Sequence, residues 1–239
     1  MLWIATLLAE LAVDPAAGAL YQRACGACHG DQGDGRGEAA RHLDPLPQDF
    51  ARGVFKLRST PTGSLPNDED LRRTVREGVP GTAMPAFRDR LSAGQIAMMV
   101  QVAKRFAPRF AEERPEASIP IPSEPPDDAG SRKIGATLYR RYGCVECHGP
   151  SGRGDGPAAA GLRDDKGIPI RAYDFTRPGR MKGGHRPADV YRTLATGMDG
   201  TPMPSYRDSV PAEDLWHLVH HVRSLVRRRP FWDWLVNRP

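Results

Sequence analysis

The chain has 239 residues, 39% of them hydrophobic, with four cysteines and a formal net charge of +5. That is enough for two small units with cores of their own and too apolar for a disordered polyelectrolyte. The sequence pI is near 9.2, but its arginines are scattered among Asp and Glu with no motif of a nucleic-acid reader, which sets nucleic acid aside as a partner.

The charge is unevenly placed. Residues 1–106 hold 13 Lys and Arg against 12 Asp and Glu, residues 107–132 hold 3 against 6, and residues 133–239 hold 18 against 11. The basic second half suits an acidic protein partner or an anionic membrane surface, and an ordinary solvated surface is the plainer reading.

Residues 1–15 are read as a targeting or terminal segment. Leu2 to Val13 is apolar but contains Glu10, is too short to span a bilayer, and lacks the basic start of a secretory signal. From residue 16 the spacing of Ala17, Leu20, Tyr21 and Ala24 predicts a helix leading into Cys25-Gly26-Ala27-Cys28-His29. Two thiols three positions apart can each form a thioether to one edge of a porphyrin, and the histidine that follows is carried under the iron. Zinc sites and redox dithiols use similar cysteine pairs. The pattern recurs, however, as Cys144-Val145-Glu146-Cys147-His148. A zinc site would use both pairs together, and a thioredoxin-like motif needs a βαβ setting that the sequence does not offer. All four cysteines lie in the two motifs, so none is left for a structural disulfide, a further ligand or a nucleophile.

Gly30, Gly33, Gly35 and Gly37 predict a turn-rich loop, and the absence of a following Gly-Lys-Ser/Thr argues against a phosphate cradle. The Pro-punctuated stretch 43–50 cannot be helix interior, and a carbonyl there is expected to orient His29 by accepting its other ring N–H. Asn67 to Asp70 supply an N-cap and acidic first turn, with Gly78 placed to end that helix. Directly after it, Gly81-Thr82-Ala83-Met84-Pro85 presents a methionine from a stiffened loop suited to the far side of a haem. Ser92 and Gln95 form a capping box for a helix with Ile96, Met99, Val100 and Ala103 on one face, where Met98 and Met99 read as core filling. Residues 107–130, rich in Pro and Glu, read as an extended linker.

Beyond it the pattern repeats. His29 to Met84 and His148 to Met203 both span 55 positions, and a common offset of 119 superposes Thr74 on Thr193, Gly78 on Gly197, Gly81-Thr82 on Gly200-Thr201 and Pro85 on Pro204. The copies differ by one residue before the cysteines and in the middle loop, where Asp49-Phe50 answers Asp174-Phe175.

Over residues 16–106 and 131–226 the chain resembles class I c-type cytochromes in their tandem dihaem form. The resemblance rests chiefly on the two Cys-x-x-Cys-His motifs and the two Gly-Thr-x-Met-Pro loops. It implies an all-α fold of two tandem cytochrome c-like domains joined by the Pro-rich linker, each with crossing N- and C-terminal helices and a haem between them. It implies two covalently attached haem c groups, held by Cys25 and Cys28 and by Cys144 and Cys147. The implied axial pairs are His29/Met84 and His148/Met203. Met198 faces Val79 in the other copy, Met181 faces Thr62, and neither His42 nor His185 has a histidine opposite it, so these are not matched as ligands. His217, His220 and His221 are expected to face solvent. Lys56, Arg58, Ser59 and Thr60, with Arg177, Arg180 and Lys182, are candidates to meet haem propionates.

Methionine opposite histidine favours Fe(II) and leaves no open position, which points to an electron carrier or electron-transfer subunit, not an enzyme. Redox proteins, or a membrane respiratory complex, are the implied partners, in the periplasm or on the outer face of the inner membrane. A dihaem oxidoreductase, such as a peroxidase or a thiosulfate-oxidising cytochrome, is the alternative. It is disfavoured by the two Met loops and the lack of a spare cysteine. The tail 227–239 combines Arg227-Arg228-Arg229 with Phe231, Trp232 and Trp234, a composition suited to peripheral membrane contact or to docking on a larger complex.

Overall fold

Helices carry the fold, and no β-strand occurs among the described residues of the computed structural model, 14–177 and 179–226. The expectations for the first 13 residues and for the tail lie outside them. No helix among the described residues is long and apolar enough to cross a membrane. The chain divides into two compact units between Ala117 and Ser118.

In the first unit, α1 (Pro15–Tyr21) starts from Asp14, whose carboxylate accepts the Ala16 N–H. It runs through a wide π turn, Gln22–Gly26, into α2 (Ala27–His29). Its apolar face, Ala17, Leu20 and Tyr21, is buried with Met99 and Val102 of α4 (Ala93–Arg105). Val100 on another side of α4 packs with Phe55, Leu65, Leu71 and Ala107, Leu71 coming from α3 (Asp68–Glu77). The predicted capping box of Ser92 with Gln95 forms, and the predicted N-cap Asn67 makes a second one with Asp70, each satisfying otherwise orphaned N–H groups at a helix start.

The second unit repeats the plan with α6 (Ala129–Arg141), α7 (Cys144–His148), α8 (Pro187–Thr196) and α9 (Ala212–Ser224). Its extra residue between tyrosine and cysteine is taken up by ending α6 and turning at Gly143, φ 72°, before α7 begins. The core joins Leu138 and Tyr139 to Val190, Tyr191, Leu194, Trp216, Leu218 and Val219. Where α6 crosses α9, Gly135 lies so close that an added Cβ would overlap the His217 carbonyl. The corresponding residue of the first unit is Ala17.

The α9 histidines do not face solvent as expected. With α6 on one side and α8 on another, α9 is covered round most of its girth. His220 is fully buried, and His217 and His221 are half-buried. Ser131 Oγ lies 2.7 Å from His217 Nδ1 and 2.6 Å from His220 Nδ1, so one hydroxyl serves both rings.

The 107–130 segment is largely extended, but both ends are packed. On the first unit's side, α5 (Arg109–Glu112) sets Phe110 edge-on to Phe55 at 5.7 Å, and Arg109 donates to the Gly53 and Gly63 carbonyls. On the second unit's side, Ile119 and Ile121 pack against the core.

Candidate functional site

Each motif is held by the same set of contacts. Tyr21 Oη donates to the Gly30 carbonyl at 2.8 Å and Tyr139 Oη to the Gly149 carbonyl at 3.0 Å, tying the entering helix to the residue after the histidine. The glycine loop folds back over the end of the motif helix. Gly35, Gly37 and Ala39 donate to the carbonyls of His29, Cys28 and Ala27, and Gly154, Gly156 and Ala158 do the same for His148, Cys147 and Glu146. Carbonyls that a short helix would leave orphaned are thereby satisfied.

The histidines are then aimed from behind. His29 Nδ1 meets the Gln48 carbonyl at 3.1 Å and His148 Nδ1 the Tyr173 carbonyl at 3.0 Å. A proton fixed on Nδ1 leaves Nε2 with its lone pair for a metal. Phe50 stacks on His29 at 4.8 Å and Phe175 on His148 at 4.4 Å. Burial pushes both imidazoles below their ordinary pKa, against the upward pull of the carbonyls, which favours the neutral ligand form. The expected carbonyl thus lies in the Pro-punctuated stretch, and its counterpart sits 125 positions on, not 119.

The methionine loops are built alike. Thr82 Oγ1 donates to the Val79 carbonyl at 2.8 Å and accepts the Met84 N–H at 3.1 Å. Thr201 makes the same pair, 2.7 Å to Met198 and 3.2 Å from Met203. Val79 N–H closes the loop on the Met84 carbonyl, and Met198 N–H on that of Met203, both at 3.1 Å. Gly78 and Gly197, φ 67° and 66°, start these loops where a side chain would collide with the backbone after the methionine. The threonines and the tyrosines went unassigned in the sequence. Their repetition was the signal, the threonines two residues before each methionine and the tyrosines one residue further from the cysteines in the second copy.

The polar residues of the middle loop are engaged in shaping it. Asp70, 1% exposed, accepts from Ser59 N–H at 2.8 Å, Ser59 Oγ at 2.9 Å and Arg73 at 3.1 Å. Thr60 Oγ1 donates to the Leu65 carbonyl and Arg58 to those of Pro61 and Phe55. Asp189, at the matching place in α8, accepts from Arg186 at 3.1 Å and Arg192 at 2.9 Å. Arg177 pairs with Asp174 at 3.2 Å.

The donor set fits a covalently held haem. The four thiols are partly exposed and form no disulfide, and each motif ends in a histidine whose Nδ1 is already occupied. Burial, helped by Cys28, pushes the Cys25 thiol up to about 11, and burial likewise raises Cys144.

Comparison with known proteins agrees. Residues 14–101 match the family model for cytochrome c oxidase, cbb3-type, subunit III, and residues 133–226 match that for cytochrome c. A chain of the Kuenenia stuttgartiensis reducing HAO-like protein complex Kustc0457/Kustc0458 is 40% identical with a TM-score of 0.87, across 91% of this chain and 98% of that one. The chain is a dihaem c-type cytochrome. No curated protein matches it. The cytochrome carries one covalently bound haem c in each unit, and electron transfer is its role. When bound, each haem supplies a one-electron Fe(III)/Fe(II) couple.

Proposed function

We propose that this cytochrome relays single electrons between redox proteins, with His29/Met84 and His148/Met203 as the axial pairs of its two irons. The observation that carries this is the duplicated frame: a histidine aimed by a carbonyl and, 55 residues later, a methionine in a loop closed by a threonine, in both units. Filled coordination on both sides leaves no position for substrate, which supports a carrier over a peroxidase or thiosulfate oxidase. Its likeness to a subunit of a reducing HAO-like complex supports membership of a comparable assembly, in which it is the electron-carrying chain. On this reading it works in the periplasm or on the outer face of the inner membrane, in keeping with covalent haem attachment.

A redox titration of the holoprotein, followed optically and by magnetic spectroscopy of the ferric form, tests the assignment. Two distinct low-spin His/Met signals are expected, together with slow cyanide binding. A high-spin or bis-histidine haem, or rapid reaction of one haem with hydrogen peroxide, would overturn it.

A further inference from the structure

In the second unit the glycine loop after His148 and the segment after Arg171 enclose an open groove of about 380 Å³, walled by Arg153, Gly154, Arg171, Ala172, Asp174 and Arg177. Three guanidinium groups face one carboxylate. Arg177 is paired with Asp174, whereas Arg153 and Arg171 are exposed and make no hydrogen bond or ion pair with any described residue. A structural role within the fold does not account for them.

The first unit serves as an internal control. Its glycine loop aligns by the offset of 119, and its middle segment by the 125 that matches Gln48 to Tyr173 and Phe50 to Phe175. Arg153 therefore corresponds to Asp34, Arg171 to Leu46, Arg177 to Arg52 and Asp174 to Asp49. The same wall carries two acids, one arginine and a leucine 52% exposed in the first unit, against three arginines and one acid in the second. One backbone frame presents opposite charge in the two copies.

We infer that this arginine groove is the docking surface of the second unit for an acidic segment of a partner protein. The inference rests on the relay reading, since it supplies the partner that the relay needs. Guanidinium forks with no internal partner are suited to bidentate carboxylate contacts. The position is also functional. The groove is lined by both neighbours of Tyr173, whose carbonyl holds His148, and it adjoins Phe175, which stacks on that ring. A partner seated there lies beside the backbone that aims His148 and the ring that stacks on it.

The test uses the full-length holoprotein and a labelled decaglutamate peptide, with binding followed by anisotropy. Wild type is expected to bind at low ionic strength and to release the peptide as salt rises. Arg153→Gln/Arg171→Gln should weaken binding about ten-fold, while Lys133→Gln/Arg140→Gln, which removes the same charge from α6, should leave it near wild type. Equal loss in both double variants, or no loss in the first, would overturn the inference. So would groove-dependent binding of orthophosphate or phosphatidylglycerol vesicles without peptide binding. If both haems of the arginine variant titrate normally while peptide binding fails this test, docking at the groove falls and the relay stands.

Discussion

Thr82 and Thr201 hold more of the two sites than their bulk suggests. Each hydroxyl donates to the carbonyl that opens the methionine loop and accepts the N–H of the methionine itself. Valine keeps the shape and removes both bonds, leaving a half-buried N–H without a partner at a cost of about 1 kcal/mol, roughly a five-fold change in loop opening. Thr82→Val should therefore speed cyanide binding at the first haem alone and lower that haem's reduction potential, and Thr201→Val should do the same at the second. An unchanged cyanide rate in both would show that packing, not the hydroxyl, holds the sulfur. The sequence displayed these threonines as a repeat without their task, because a hydroxyl's partner depends on how the loop closes. The histidine carbonyls were harder still to find: every residue has a carbonyl, and only the folded path selects Gln48 and Tyr173.

At the scale of elements, the helix after the middle loop carries a buried carboxylate in its first turn, Asp70 in α3 and Asp189 in α8; Asp70 pins the loop through Ser59, and Asp189 gathers Arg186 and Arg192 at the helix start. Burial would raise the Asp189 pKa, but Arg192 and Arg186 outweigh it and hold the carboxyl below its ordinary range. The Arg186 side chain is 72% exposed and is screened by solvent, so Arg192, at 18%, carries most of the effect. A folded-state pKa below the unfolded one gives stability that is full above the unfolded value, about pH 4, and is lost as pH falls through the folded value. Asp189→Asn should cost about 2 kcal/mol at pH 7 and progressively less as the medium is acidified past that point. Urea midpoints of the holoprotein at pH 7 and pH 3 measure this, and a deficit that stays constant with pH would mean that the charge plays no part. The acidic first turn of α3 was legible as an N-cap signal. That its third member is buried and grips Ser59 was not, since helical periodicity says nothing of a loop folding onto the helix start.

The whole chain is a duplication whose architecture was readable from two motifs, two methionine loops and one spacing. The exceptions arise where neighbouring elements cover a surface that periodicity assigns to solvent. His220 is buried because α9 has helices on more than one side and Ser131 of α6 supplies a polar partner there. The Pro- and Glu-rich stretch is the other exception, since its composition describes a tether while its few apolar residues are used as packing. Ala107 and Phe110 belong to a core of the first unit, and Glu116 N–H is bound by Ser64 Oγ at 3.0 Å. Ile119 and Ile121 belong to the core of the second. Where the chain is cut should therefore matter. Residues 1–117 and 118–239, expressed separately with haem attachment, should each give a folded cytochrome with a low-spin spectrum. Ending the first piece at residue 106 removes the Phe110 contact and both Arg109 carbonyl bonds, and should cost about 3 kcal/mol or more of its stability. Starting the second at residue 131 removes both isoleucines and the Asp128 cap of α6, with a loss of similar size. Urea unfolding followed at the haem absorbance compares the long and short pieces directly, and equal midpoints would show the segment to be a passive tether.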